Sequence, residues 1–207
     1  MEAFDWNVVV VGYWNPAILT PAGIGRRLFG LKEGTPVLIE VPLDGLAPHR
    51  VKHDGLTVTA ERGQLTVLAD DPKYAGLDRA RAIAARAIGG LPETPLTAAG
   101  YNVRVRMEEP PSDLLTATKA PMDDLLSDAS FTIESRGFYR SLSWKNGLLN
   151  LNIQHGNDLR VDLNFHRQST EQDELLSWLR EPIAEVEEVV SRVFDEVVRC
   201  PLGEIGK

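Results

Sequence analysis

The sequence has a single cysteine, Cys200, among its 207 residues. One cysteine excludes an intrachain disulfide and every zinc motif built from paired cysteines. Long apolar runs are also missing, because the valine run Val8 to Val11 is far shorter than the ~20 residues of a membrane-spanning helix. The first residues lack the basic stretch of a secretion signal. We therefore expect a cytoplasmic protein with no membrane partner.

Positive charge is scarce and is nowhere concentrated. The formal net charge is −8, from 22 basic and 30 acidic residues. Residues 1–100 carry 11 acidic and 10 basic side chains, whereas residues 101–207 carry 19 and 12. Glu171 to Arg199 alone holds nine acidic and three basic residues. Because a phosphate backbone would be repelled by this segment, and no basic run offers it a footprint, we expect no nucleic-acid partner.

Signatures of catalysis are absent as well. The sequence contains no G-x-S-x-G elbow, no Walker phosphate loop and no H-E-x-x-H metal motif. Gly23 and Gly25 do not form a dinucleotide site, since the residues from Tyr13 to Ala22 separate them from the preceding strand. We predict no catalytic residue and no cofactor. The sequence therefore favours a non-catalytic protein. A catalytic site assembled from residues that are distant in the sequence is the alternative.

The histidines do not form a metal site. His49 and His53 lie four residues apart on a predicted strand, a separation of about 13 Å. Only His155 and Asp158 could approach each other, across the end of a hairpin, and two ligands are fewer than a zinc site needs. We predict no metal ligand.

The first recognisable unit is an antiparallel meander over residues 49–69. Asp54-Gly55 and Arg62-Gly63 are predicted two-residue turns. They pair Val51 with Val58 and Val58 with Val67, so that apolar side chains share one face.

A second meander is predicted over residues 139–166. Asn146-Gly147 is interpreted as its first turn and His155-Gly156-Asn157 as its second. This register pairs Trp144 with Leu149 and Ile153 with Leu159. The face opposite the apolar side chains is then polar; it holds Tyr139, Ser141, Ser143, Asn150, Asn152, Gln154, Asp158, Arg160, Asp162, Asn164 and His166.

Helices and two further strands surround the meanders. Strands are predicted at Trp6 to Tyr13 and Ala98 to Met107; helices are predicted from Thr20 to about Gly30, Tyr74 to Ile88, Asp113 to about Leu126, and Ser169 to about Arg199. The last is a long acidic helix with a kink or break near Glu181 and Pro182.

The predicted fold is α+β, with two antiparallel meanders each flanked by helices. The organisation is a strand-helix-meander-helix-strand unit over residues 1–108 and a helix-meander-helix unit over residues 109–207, with one compact domain as the alternative. The shared plan allows an internal duplication, although no residue-level repeat is visible.

The polar face of the second meander is the first candidate contact surface. It is rich in neutral amides and hydroxyls where a solvated face more often carries Lys and Glu. The candidate partner-binding residues are Tyr139, Ser141, Asn150, Asn152, Gln154, Asp158 and Arg160. A plain exposed sheet face is the alternative interpretation.

The last helix is the second candidate contact surface. An apolar stripe recurs at helical spacing along it, formed by Ile183, Val186, Val190, Val193 and Val197. Packing within the chain is the first interpretation of this stripe, and a homodimer seam is the second. The acidic flank would attract a basic partner.

These surfaces favour a non-catalytic macromolecule-binding protein of adaptor or immunity type, with a protein partner of basic character. The alternative is a small-molecule-binding domain or an enzyme with its site in a crevice between the two units. The residues predicted to line such a crevice are Tyr13, Trp14, Tyr101 and Arg104.

Overall fold

A computed structural model describes residues 1–43, 47–203 and 205–206. Its strands are β1 (Glu2–Ala3), β2 (Asn7–Gly12), β3 (Leu38–Glu40), β4 (Arg50–His53), β5 (Leu56–Ala60), β6 (Gln64–Ala69), β7 (Leu96–Met107), β8 (Arg136–Trp144), β9 (Gly147–His155) and β10 (Leu159–Gln168). Its α-helices are α1 (Pro21–Arg27), α2 (Tyr74–Gly90), α3 (Ser112–Ala117), α4 (Pro121–Asp128), α5 (Gln172–Leu179) and α6 (Ile183–Arg192), which continues as a π-helical turn (Val193–Val198). The α+β fold class is confirmed.

All the strands belong to one antiparallel sheet. Its order is β3-β4-β5-β6-β2-β7-β10-β9-β8, and β1 pairs with β7 outside this path. The two predicted meanders therefore lie in one sheet and are joined through β2 and β7, because β6 pairs with β2, β2 with β7, and β7 with β10 over ten residues from Ala98 to Met107. Whether the two predicted units are separate folding units stays a prediction, and no duplication is evident in the strand order.

One face of the sheet packs against the helices. Alternate residues of the central strands, such as Val8, Val67 and Val161, are fully buried there. Four aromatic rings join the sheet to α5: the ring of Phe165 lies 5.0 Å from Tyr101 and 4.9 Å from Trp144, and Trp144 lies 5.0 Å from Trp178. The core is thus one continuous layer between the sheet and the helices.

The register of the first meander is confirmed. Val51 pairs with Val58, and Val58 with Val67. The turn at Asp54-Gly55 takes positive φ angles of 50° and 70°, as a two-residue hairpin turn requires.

The register predicted for the second meander is wrong by two residues in both hairpins. Trp144 pairs with Gly147, so the first turn is Lys145-Asn146; His155 pairs with Leu159, so the second turn is residues 156–158. Gly147 is the first residue of β9, and only glycine fits there, because a Cβ would come within 2.5 Å of the His166 carbonyl oxygen and 2.8 Å of the Trp178 ring. A shift of two residues preserves which face each side chain occupies, so the predicted faces are unchanged.

The C-terminal segment is not one kinked helix. α5 ends at Leu179, α6 begins after Pro182, and the π-helical turn follows. The interruption is held by Arg81, whose buried guanidinium donates hydrogen bonds to the carbonyl oxygens of Leu179 (3.1 Å) and Glu181. Proline lacks the N–H that a continuous helix would need at this point.

The remaining helices differ from the predictions mainly in length. Thr20 caps α1 as predicted, because its hydroxyl accepts a hydrogen bond of 3.1 Å from the Gly23 N–H. The helix predicted from Asp113 to Leu126 is two short helices, α3 and α4. Pro121 occupies the first turn of α4, where proline is tolerated, and it separates the two.

Candidate functional site

The face of the sheet opposite the core is called the open face below. Among the described residues, the helices contribute their buried side chains to the other face. On the five strands β2, β7, β10, β9 and β8, the open face consists of a central row with a row on each side. The central row is Asn7, Asn102, Asn164, Asn150 and Ser141; one side row is Arg104, Asp162, Asn152 and Tyr139, and the other is Val9, Gly100, His166, Leu148 and Ser143.

The central row forms a continuous chain of side-chain hydrogen bonds, called the amide ladder below. The amide of Asn150 donates to Asn164 at 2.9 Å, Asn164 donates to Asn102 at 2.8 Å, and Asn102 donates to Asn7 at 2.7 Å. Directly opposed residues of antiparallel strands have Cβ atoms about 5 Å apart, a gap that short amide side chains bridge. Asn7 and Asn102 are buried, with 6% and 8% of their surface exposed.

The amide ladder has one direction, which its ends define. At one end Asn7 donates to the carboxylate of Asp5 at 3.0 Å. A carboxylate can only accept, so the amide groups of the row all donate toward Asp5. At the other end the side-chain oxygen of Asn150 lies within hydrogen-bond distance of the hydroxyls of Tyr139 (3.1 Å) and Ser141, which also lie 3.2 Å from each other. Both hydroxyl hydrogens are therefore committed to Asn150 or to each other.

A charged row lies beside the ladder. Arg104 forms an ion pair with Asp5, and its Nε lies 3.7 Å from the Asp162 carboxylate. Burial raises the pKa of Asp162, and the positive charge of Arg104 opposes that increase only in part. Further out, Arg106 pairs with Glu2 at 2.5 Å. The cations Arg104 and Arg106 are thus each matched by an acid, so this part of the open face carries little net charge.

The structure brings three of the predicted contact residues together. Tyr139, Ser141 and Asn150 form the β8 end of the ladder. Asn152 and Gln154 point to the same face, opposite Tyr139 and Gly137 of β8.

Asp158 is a partial exception, because it lies in the turn between β9 and β10 rather than on a strand. It forms an ion pair of 3.1 Å with Arg160. A shallow depression of about 350 Å³ at this end of the sheet includes Gln154, Asp158 and Arg160 in its lining, together with His155. No group of three or more His, Cys, Asp or Glu side chains able to hold a metal occurs in residues 1–43, 47–203 and 205–206.

Sequence reasoning missed the buried half of the ladder. It placed Asn164 on the polar face without naming it as a contact residue, and it did not consider Asn7 or Asn102. Each of these two is an isolated amide at a position that alternates with buried apolar residues, such as Val8 and Val103. A buried amide in a central strand requires hydrogen-bonding partners, and that requirement was the available signal.

The predicted crevice between the units is not formed by its predicted residues. Tyr101 and Trp14 are buried on the helix side, whereas Arg104 lies on the open face and Tyr13 is exposed. β7 and β10 are hydrogen-bonded along their length, so the two units meet in a continuous sheet at this point. Depressions of about 480 Å³ beside α1 and about 590 Å³ between α2 and the end of α5 contain none of these four side chains.

The apolar stripe of the last helix is occupied within the chain. Val186 and Val190 are fully buried and Val193 nearly so, while Ile183 packs against the core. Only Val197, with 48% of its surface exposed, is open to a second copy. Packing within the chain therefore accounts for the stripe, and nothing supports a dimer seam along it.

The acidic flank of that helix lies across the sheet from the ladder, since α6 packs on the core side. Glu188 and Arg192 form an exposed pair at 3.2 Å, and Lys145 pairs with Glu181 and Glu185. A flat partner cannot contact the acidic flank and the open face together.

Comparisons with known proteins give no relative. No protein-family model, no curated protein and no solved structure matches the chain. Among the described residues, no helix is both long and apolar enough to cross a membrane.

Proposed function

We propose that this chain is a non-catalytic protein-binding module that contacts its partner through the open face. The observation that carries the proposal is the amide ladder, which spans five strands on the face opposite the described helices. Asn102 and Asn164 each use one donor and one acceptor along the ladder, and Asn150 donates once, although an amide has two donors and two acceptors. The remaining groups of the half-exposed rungs, Asn150 and Asn164, are held in fixed positions at the surface.

Preorganisation is the physical basis of this proposal. Binding usually costs side-chain entropy at each polar residue that becomes ordered. The ladder amides are already ordered by their neighbours, so a partner can hydrogen-bond to them without that cost. The exposed residues that surround the β8 end, Tyr139 and Gln154, supply the contact area that would bury these hydrogen bonds.

The partner is expected to be neutral and polar where it meets this face. Arg104, Arg106 and Arg160 are each paired with an acid, so the face offers little net charge to a partner. Binding here should therefore depend only weakly on salt. A basic partner held by the acidic flank of α6 would be released as salt rises, and this difference separates the two docking positions.

The test is photo-crosslinking from two positions. A photoreactive amino acid is placed at Gln154 on the open face or at Glu188 on α6, and each protein is irradiated in an extract of its host. We expect one protein to crosslink from position 154 and not from position 188. Recovery of the same protein from position 188 alone, or of none from either position, would overturn the proposal.

Affinity measurements with the purified partner then provide the matched control. Tyr139→Ala removes an exposed contact and one ladder donor, so we expect binding to weaken roughly tenfold. Glu188→Ala on the opposite side should leave the affinity unchanged. Equal effects of both substitutions would contradict docking on the open face.

A further inference from the structure

Strand β8 forms an open edge of the sheet. It pairs with β9 on one side and ends the strand order on the other. Because Trp144 and Gly147 close a two-residue turn, the backbone groups of every second residue from Trp144 bond to β9. The backbone N–H and C=O groups of Gly137, Tyr139, Ser141 and Ser143 therefore point outward.

The contacts of Arg140 agree with this geometry. Its Nη1 donates to the carbonyl oxygen of Tyr139 at 2.7 Å, so this carbonyl is turned away from β9. The same guanidinium lies over the ring of Phe138, 4.3 Å from its centroid. Among the described residues Arg140 has no acidic partner. It is an unpaired cation at the middle of the edge.

This edge is long and weakly protected. β8 has nine residues, whereas β3 at the opposite edge of the sheet has three. Natural edge strands are usually protected by prolines, charged side chains, bulges or shortness. The strand contains no proline, its pairing with β9 is regular from Arg136 to Trp144, and its charged residues are Arg136, which pairs with Asp123, and Arg140. Its core-side residue Leu142 is 41% exposed.

The direction of the amide ladder specifies what an added strand should offer. The hydroxyl hydrogens of Ser141 and Tyr139 are donated to Asn150 or to each other, which leaves acceptor lone pairs at the outer end. A side chain that continues the row must therefore donate a hydrogen bond, as an amide, a hydroxyl or an ammonium group does.

Two registers near the middle of β8 are relevant to pairing with a second copy of this strand. In a two-fold pairing centred on Ser141, two hydroxyls with committed hydrogens would face each other. In a pairing centred on Arg140, two like charges would be directly opposed, which is destabilising. Both pairings near the middle of the strand are therefore unfavourable.

Resting on the proposed protein-binding function, we propose that β8 receives an extended segment of the partner as an additional strand of the sheet. Successive side chains of this segment point to opposite faces of the sheet, so their chemistry alternates. The side chain facing Ser141 is a hydrogen-bond donor, the side chain facing Arg140 is acidic, and apolar side chains on the same side as the acid cover Phe138 and Leu142. Main-chain hydrogen bonds to the outward groups of β8 other than the Tyr139 carbonyl, which accepts from Arg140, supply affinity, and the alternate side chains supply specificity.

The test uses random peptides of about twelve residues displayed on phage, a length that spans the nine residues of β8. They are selected on the folded full chain, and enriched sequences are synthesised and titrated by fluorescence anisotropy. We expect alternating sequences with an acidic residue and an amide or hydroxyl residue on opposite sides. Failure to enrich any peptide would overturn the proposal.

The decisive variant is Ser143→Pro, with Ser143→Ala as its matched control. Proline removes the outward N–H of residue 143, which has no partner within the sheet, so the fold loses no hydrogen bond. Peptide binding should weaken roughly tenfold in the proline variant and stay within about twofold in the alanine variant. Equal melting temperatures confirm that both variants fold. Unchanged binding by the proline variant would overturn strand addition.

The same pair of variants separates this proposal from the proposed function. If the crosslinked partner still binds Ser143→Pro but not Tyr139→Ala, the open face binds protein and strand addition is wrong. If neither change affects the partner, both proposals fail. Sedimentation of the free chain tests whether a second copy of the chain occupies this edge instead. A dimer that Ser143→Pro dissociates would show that a second copy covers β8.

Discussion

The two faces of the sheet meet different physical requirements with neighbouring residues of the same strand. In β10, Phe165 is fully buried against the rings of Tyr101 and Trp144, while Asn164 next to it bridges Asn102 and Asn150 on the open face. The covered face is stabilised by removing apolar surface from water, an effect proportional to area. The open face is stabilised by satisfying polar groups, an effect that depends on direction and on every rung being present.

This difference teaches how each face should respond to mutation. Loss of volume on the covered face leaves a cavity whose cost grows with the atoms removed. Loss of one amide on the open face leaves its two neighbours unsatisfied, but water can reach the outer rungs and replace part of what is lost. The following substitutions test this contrast, beginning with the largest expected effect.

Phe165→Ala on the covered face should lower the free energy of unfolding by about 3–5 kcal/mol. The phenyl ring contacts two other aromatic rings and has no exposed surface, so its removal leaves a cavity. Urea denaturation measures the change, and Phe165→Leu is the control that should cost much less. A loss below about 1 kcal/mol would show that this face is not tightly packed.

Asn102→Asp tests the direction of the ladder. Aspartate can still accept from Asn164 but cannot donate to Asn7 when ionised, so we expect a loss of about 2–3 kcal/mol at neutral pH. Burial should raise the pKa of the new carboxyl in the folded state. The penalty is then absent below the unfolded pKa of about 3.9 and grows as pH rises through the folded pKa.

Denaturation of Asn102→Asp and of the parent chain across acidic and neutral pH measures this penalty. The difference in stability between them should narrow as the pH falls. A difference that is constant with pH would contradict the donor role of Asn102.

Asn164→Ala removes a half-exposed rung, and it should cost about 1–2 kcal/mol. The side-chain N–H of Asn150 loses its acceptor, and the side-chain oxygen of Asn102 loses its donor. Residues 164 and 165 are adjacent in β10 but lie on opposite faces. Comparing Asn164→Ala with Phe165→Ala therefore separates the effect of the face from the effect of the strand. A cost for Asn164→Ala that equals that of Phe165→Ala would remove the distinction drawn above.

Asp162→Asn should have the smallest effect, within about 1 kcal/mol. Burial raises the pKa of Asp162 in the folded chain, so its ionised form destabilises the fold as pH rises from the unfolded pKa through the folded one. The variant lacks this titration and should gain stability relative to the parent chain over that interval. Denaturation at several pH values measures the difference. A variant that loses relative stability with rising pH would mean that the pairing with Arg104 dominates over burial.

Alternation of polar and apolar residues predicted the faces of the strands correctly even where the register was wrong. The Asn146-Gly147 dipeptide indicated a turn one residue later than the one that forms. Trp178 lies thirty-one positions further along the chain, in a helix. Its ring packs so closely against Gly147 that no larger residue fits at this position of the strand. Neighbouring residues in the sequence do not indicate such a contact. The alternation of polar and apolar residues is visible locally, and a register error of two residues does not change the face that each side chain occupies.

The candidate site was half predictable for the same reason. Tyr139, Ser141 and Asn150 lie on one face of a single hairpin, which the alternation of residues predicted, although the predicted register placed Asn152 rather than Asn150 opposite Ser141. Asn7 and Asn102 join them only through the pairing of β2 with β7 and of β7 with β10. These strands are separated by up to about a hundred and fifty residues, and local propensity does not determine their order.

The sequence by itself determined the α+β class, the hairpins of the first meander and the side on which each strand residue lies, because these follow from local alternation and turn chemistry. Only the tertiary structure decided that the two meanders form one sheet, since pairing between distant strands depends on how the whole chain buries its apolar surface. That joining aligned five polar residues into one directional ladder. It also left β8 as the long edge at which the ladder ends.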